Sequence, residues 1–288
     1  MNAQKIAVIT DSCADVPPEL ARQQDIFVIP LQLIFSDGVY HDGVDITAQQ
    51  VYDRLPTEIP KTSLPDGETI LNLFAQIRDA GFEKAIAVML SAGLSGTCNL
   101  VRRLGEEFEG LEIKTFDTVS GSLGTGGIAL RLSEYIRQGR PWGELLELTP
   151  KLIENTHVFF SVNTLEYLRK GGRIGLISSV AGTMMQIKPV ISFAPSGELV
   201  SVAKVRGRKA SMEKLTQLIA PYLRPNARYI TMTAHGNCPE DGKIIKTMMQ
   251  KQFPQYQQHY ESIIDATLGT YVGPHLIGAG IIVLEGDM

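Results

Sequence analysis

What most restricts the fold of this chain is the alternation of short apolar runs with longer segments of helical period. Residues 5–10 (KIAVIT), 26–35 (IFVIPLQLIF), 84–90 (KAIAVML) and 113–117 read as strands. Some are apolar almost without interruption, the pattern of strands covered by helices on both faces. Between them, Ile70, Leu73, Phe74 and Ile77 fall at the i, i+3, i+4, i+7 spacing of a helix over 66–80 with one buried face. Thr47 to Gln50 fits a capping box opening a short helix to Leu55. Residues 97–108 and 125–138 read as further helices, and Ser36-Asp37-Gly38 as a tight turn.

The second half has a different rhythm. A helix over 163–170 runs into Gly171-Gly172, which suits a left-handed C-cap. Residues 188–194 and 199–205 flank Pro195-Ser196-Gly197 and read as a hairpin. Helix 208–223, strand 229–235, helix 239–252 and strand 257–261 follow. A length of 288 residues suits two domains. The expected fold class is α/β: two α/β domains, the first with a mainly parallel sheet, the second mixed, with a ligand cleft between them. The boundary falls after the helix containing Trp142, giving domains 1–155 and 156–288.

Lys plus Arg number 27 and Asp plus Glu 31, a net charge of 27 − 31 = −4. That balance argues against a nucleic-acid binder working through a broad basic face. Three scattered cysteines (Cys13, Cys98, Cys238) make neither a disulfide framework nor a closed zinc site, and point to a reducing cytoplasm. The N-terminus runs straight into a strand-like segment without a signal-type apolar stretch. Residues 266–284 lack charge, but Pro274, His275 and four glycines make a membrane span a poor reading. A buried loop entering a last strand over 278–284 is expected, with no stable membrane insertion.

Several segments carry groups suited to chemistry. Thr10-Asp11-Ser12 ends the first strand, where parallel sheets gather ligands, and equally suits a strand end hydrogen-bonded to its turn. Residues 91–97 (SAGLSGT) precede a helix. Gly93 and Gly96 permit close backbone approach, the helix start offers unpaired amides, and Ser95 and Thr97 add hydroxyls. An ordinary Ser/Thr cap explains the same residues. With Thr97 where a nucleophile elbow needs glycine, and with no Gly-Lys pair, neither elbow nor P-loop is present. Thr62 and Ser63 in the loop at 61–65 are anion donors or caps. His275 lies in a glycine-rich stretch and is either a core residue or a catalyst; the other histidines show no ligand spacing with it. The basic runs at 169–173 and 204–209 face solvent, or dock an acidic partner or phosphate.

Taken in order, residues 6–17 (IAVITDSCADVP), 61–66 (KTSLPD), 91–97 (SAGLSGT), 165–174 (LEYLRKGGRI) and 269–283 (GTYVGPHLIGAGIIV) resemble the DegV family of bacterial fatty-acid-binding proteins. The resemblance spans essentially the whole chain. It implies two α/β domains holding a long-chain fatty acid, no cofactor, no metal and no catalytic centre. It also implies a partner, a fatty acid kinase that phosphorylates the bound carboxylate. By motif, Thr62 and Ser95 would bind the carboxylate with His275 beside them, in loops that also hold Ser63, Gly96 and Thr97. Arg173 and Arg206 would face the kinase. Cys13 stands where threonine is common, and Leu64 and Asp66 vary their loop, which leaves ligand preference open.

The physics is compatible with a carrier. At about 0.8 kcal/mol per buried methylene, a sixteen-carbon chain gains roughly 11 kcal/mol before ordering costs. The tail therefore dominates, and neutral donors suffice at the head without an arginine. Leu176, Ile177, Val180, Met184, Met185 and Ile187 are either tail walls or ordinary core. The competing reading is an enzyme, a hydrolase or phosphotransfer protein, using Ser95 and His275. No triad with an orienting acid is recognisable in the sequence.

Overall fold

The computed structural model describes residues 2–180, 187–224 and 227–284. Strand β1 (Ile6–Asp11) leads through helix α1 (Pro18–Gln23) to β2 (Ile26–Ile29). There the single strand expected over 26–35 breaks. Pro30 has no N–H for a ladder, and the chain leaves the first sheet to form β3 (Gln32–Phe35), which turns back as β4 (Gly38–His41). Helix α2 (Ala48–Arg54) opens on the expected capping box. The Thr47 N–H donates to Gln50 Oε1 at 2.8 Å, and the Gln50 N–H to Thr47 Oγ1 at 3.3 Å. Residues 61–63, expected as loop, form β5 (Lys61–Ser63), antiparallel to β3 with Thr62 opposite Leu33. Helix α3 (Gly67–Asp79), strand β6 (Lys84–Met89), helix α4 (Thr97–Glu107), strand β7 (Glu112–Asp117) and helices α5 (Leu123–Arg137) and α6 (Trp142–Glu154) follow.

Strands β2-β1-β6-β7 make a wholly parallel sheet, and β4-β3-β5 a small antiparallel one. Ala7, Ile9, Ala85 and Ala87 pack on Phe74 of α3 and Val101 of α4. Ile6, Val8, Ile86 and Val88 pack on the α5 side, with Ile128 and Leu132. Burial of both faces is why these strands read as unbroken apolar runs. Helix α5 approaches closely: a Cβ on Gly126 would lie 2.1 Å from the Ala14 carbonyl oxygen, so only glycine fits.

The second large sheet takes its first strand from β8 (Thr156–Ser161), which is followed by the short helix α7 (Glu166–Lys170). That helix starts later than expected, because Thr164 Oγ1 takes the Glu166 N–H at 3.1 Å. It closes as expected, with Gly172 left-handed at φ +73°. The hairpin of β9 (Ile187–Phe193) and β10 (Leu199–Arg206) is also as expected. Helix α8 (Arg208–Ile219) stops before Pro221, which leaves a single 3-10 turn at 220–222. Strand β11 (Arg228–His235), helix α9 (Pro239–Gln252) and strand β12 (Gln258–Ile263) lead to the main departure. Residues 266–272, expected as loop, are helix α10 (Ala266–Val272), which precedes β13 (Ile277–Leu284).

The strand order is β10-β9-β8-β13-β11-β12, with β11–β12 parallel and the other pairs antiparallel. This is the mixed sheet expected. Helices α8 and α9 cover one face through Leu215, Ile219, Ile245 and Met249. Helix α5 serves the other face as well as the first sheet, so two α/β domains share one helix at their junction.

Candidate functional site

Between the two sheets lies a cavity of about 300 Å³, at the lower end of the range for ligand pockets. Its floor is the α5-facing side of the second sheet, with Val158, Phe160, Met232, Ala234, Gly278 and Gly280. The opposite walls are Leu31, Leu90 and Leu94 from the first domain, the start of α5, and Leu268 and Val272 of α10.

Polar side chains gather where β5, the 91–97 loop, α7 and α10 meet. Strand β5 presents Thr62 and Ser63 to the cavity, and Ser95 joins them. Tyr271 Oη is hydrogen-bonded to Thr62 Oγ1. The Arg173 guanidinium lies 5.0 Å from the Tyr271 ring centroid, within cation–π reach. Its Nε donates to the Leu94 carbonyl at 3.3 Å and its Nη1 to the Gly171 carbonyl at 3.0 Å. The 91–97 loop is further fixed by Ser91 Oγ, which donates to the Gly197 carbonyl at 2.8 Å. Ser95 Oγ is 2.9 Å from Thr97 Oγ1 and accepts the Thr97 N–H at 3.3 Å, so this hydroxyl both steadies the start of α4 and borders the cavity.

The sequence-derived residues therefore separate. Thr62, Ser63 and Ser95 come together on the cavity wall. Gly96 and Thr97 do not border it: Gly96 is exposed and Thr97 fully buried. His275 does not join them. It is exposed, at φ +65°, its N–H donating to the Gly236 carbonyl and its own carbonyl accepting from Arg208 Nη1, both at 2.6 Å. Its neighbour Leu276 is the residue that reaches the cavity. Ser95 and His275 thus form no nucleophile–base pair. Arg173, expected on a partner surface, lines the cavity, so an arginine does stand at the polar end. Arg206 is exposed at the end of the edge strand β10 and does not line the cavity.

Of the run that is either tail wall or ordinary core, the described residues do not line the cavity. Leu176 is half-exposed and Ile177 is buried in the core, and neither these nor Ile187 borders the cavity. Met184, Met185 and the Val180 side chain lie outside the described residues. The sheet face supplies the wall instead. Tyr271 was missed because sequence offers no sign that α10 points it at Thr62. Asp11 resolves to the structural reading: it accepts the Leu90 N–H at 2.8 Å and the Cys13 N–H at 3.1 Å, tying β1 to β6. Burial pushes its carboxyl up to about 7.

Beneath the cavity wall sits an acidic knot. Asp42 accepts the N–H groups of Ala266 and Thr267 at 3.2 and 2.9 Å, and Asp265 accepts that of Leu268 at 2.8 Å. Asp15 accepts the Asp265 N–H at 2.7 Å and a bond from the Ser122 hydroxyl. Burial pushes Asp15 up to about 7 and Asp265 well above the usual carboxylate range, with the neighbouring Asp42 adding to both. Among the described residues, no group of three or more His, Cys, Asp or Glu side chains is arranged to hold a metal ion. Nor is any described helix long and apolar enough to cross a membrane.

The fold and site define a two-domain α/β protein with an apolar, ligand-sized cavity at the domain junction, polar at one end. The family model "Uncharacterised protein, DegV family" matches residues 5–284. A DegV domain-containing protein of Clostridium acetobutylicum is 33% identical over 283 residues, covering 98% of this chain and 99% of the relative. The chain belongs to the DegV family. Among solved structures, a fatty acid binding DegV family protein from Streptococcus agalactiae is 26% identical with a TM-score of 0.86, covering 99% of this chain and 100% of that one. A DegV family protein from Thermus thermophilus, in a structure describing its fatty acid binding, shares the fold at a TM-score of 0.90 and 24% identity, covering 97% of this chain and 99% of that one.

Proposed function

We propose that this protein binds a long-chain fatty acid and carries it, without turning it over, between domains that meet near residue 155. The observation that carries the reading is the cavity itself: a largely apolar space with hydroxyls and one arginine at one end. Thr62, Ser63 and Ser95, joined by Tyr271, supply hydroxyls to the carboxylate, and Arg173 supplies the charge. A hydrogen bond to a charged group is worth about 1.5–3 kcal/mol when buried, so the head sets orientation. The tail, at about 0.8 kcal/mol per methylene, supplies most of the affinity. The carrier works in the cytoplasm, in keeping with three unpaired, buried cysteines. It presents its ligand to a fatty acid kinase, with Arg206 on the docking face. Similarity to fatty-acid-binding relatives supports the reading.

Organic extraction of purified protein followed by mass spectrometry is expected to release a long-chain fatty acid near one equivalent. Delipidated protein is expected to take one up again, and to take up the methyl ester more weakly. Absence of bound acid together with no uptake refutes the carrier; equal affinity for acid and ester refutes the head-group site.

A further inference from the structure

We infer that Gly278 sets which acyl chains the cavity accepts, the space left by its missing side chain taking the lateral bulk of a chain bent by a cis double bond. The inference rests on the fatty-acid reading above. Gly278 lies inside β13, paired with Phe160 on one side and Ala234 on the other, and all three border the cavity. The alternate residues Ile277, Ala279 and Ile281 belong to the core under α8 and α9, so positions 278 and 280 face the acyl space.

Among the described residues, nothing requires glycine at 278. Its φ is not among the positive values, and the atoms nearest to a Cβ there would be Phe160 Cβ at 3.6 Å, the Phe159 carbonyl oxygen at 3.7 Å and the Ala234 carbonyl oxygen at 3.9 Å. These are ordinary contacts. Glycine inside a strand weakens it and often marks a close approach by another group, yet no atom of the described residues makes such an approach here. Position 280 is the contrast. A Cβ there would lie 3.0 Å from the His157 carbonyl oxygen, 3.0 Å from Met232 Cε and 3.2 Å from Val158 Cγ2. Neighbouring protein already occupies that space. The floor therefore has room for a side-chain carbon at Gly278 and none at Gly280, where Met232 and Val158 already fill the space. A straight saturated chain has a uniform cross-section and leaves the wide part underfilled, which forfeits contacts. A bent chain places its extra width there.

The test measures equilibrium affinities of stearic and oleic acid, which share a carbon number, for delipidated wild-type protein, Gly278→Ala and Gly278→Val. Valine suits a strand and fills the gap. The ratio of oleic to stearic affinity is expected to fall about tenfold or more in Gly278→Val, the discrimination that one or two methyl-sized groups support in an apolar pocket, and by less in Gly278→Ala. An unchanged ratio in a cooperatively melting valine variant overturns the inference, as does an equal loss for both acids. If the valine variant does not melt cooperatively, the alanine variant decides by the same ratio. Wild-type protein that takes up neither acid overturns the inference together with the binding reading. Uptake of both acids with an unmoved ratio overturns the inference alone.

Discussion

Tyr271 joins the two domains through one hydroxyl: its ring belongs to α10 and its Oη is bonded to Thr62 on β5. It also lies beneath the Arg173 guanidinium. Tyr271→Phe keeps the ring and removes only the hydroxyl. It is expected to weaken fatty-acid binding by about 1–2 kcal/mol, within the range for one hydrogen bond in a charged network, with little change in melting temperature. Thr62→Ala and Ser95→Ala are expected to match it, and Arg173→Ala to exceed it because it removes the positive charge. Titration calorimetry with acid and methyl ester separates the effects, since loss of a carboxylate contact leaves ester affinity unmoved. The family motifs single out Thr62 and Ser95 as candidates, and both border the cavity, Thr62 from a strand and not from the expected loop. His275 was misplaced because a residue's position along a strand-entry loop does not reveal the direction of its side chain; the bend after Gly273 turns it outward, while Tyr271 points in.

At the scale of elements, α10 shows how burial alters titration. Its first turn offers its N–H groups to Asp42 and Asp265, and Asp15 holds the residue before it. Burial pushes Asp15 up to about 7, so the folded state keeps a proton that the unfolded chain loses near pH 4. The stabilisation associated with that proton is fully present below the unfolded value and is lost as pH rises through about 7. Three histidines act in the opposite sense: burial lowers His157 to about 4 and also lowers His235 and His259, so they lose stability as pH falls through about 6.5. A comparison of variant with wild type isolates the carboxyl. Asn at position 15 can accept the Asp265 N–H and donate to Ser122 without a charge to bury. Asp15→Asn is therefore expected to melt a few degrees higher than wild type at about pH 8 and to exceed it by clearly less at about pH 5. Calorimetric scans at both pH values check this, and an offset independent of pH refutes the carboxyl's role.

At the scale of the whole molecule, a net charge of −4 sits beside a local basic run. Lys204, Arg206 and Lys209 are exposed where β10 passes into α8. Charges at the rim of an interface act chiefly on encounter rate. Arg206→Ala is expected to leave fatty-acid affinity unchanged and to slow acyl-phosphate formation with a cognate fatty acid kinase several-fold at low salt, the difference shrinking as salt rises. An equal rate at low salt refutes the docking role. A matching loss of lipid affinity instead assigns Arg206 to the support of the cavity.

Fold class was determined by local information. Apolar runs between helical stripes, the Thr47 capping box and the turns at Ser36-Asp37 and Pro195-Gly197 each act within a few residues, so the sequence displays them directly. The parallel first sheet and mixed second sheet followed from that order. Tertiary structure alone decided the rest. Strand β5 exists because β3 lies beside it, after Pro30 has sent the chain out of the first sheet. Helix α10 carries a local cap in Asp265 but no amphipathic signal, since it is buried, and the Asp42 carboxylate that takes its first two N–H groups lies more than two hundred residues away in the chain. The cavity floor is a sheet face assembled from β8, β11 and β13, and its width depends on which positions happen to oppose one another. Such contacts between distant segments leave no periodicity in either partner, and so the placement of Tyr271, Arg173 and Gly278 around one space became visible only in three dimensions.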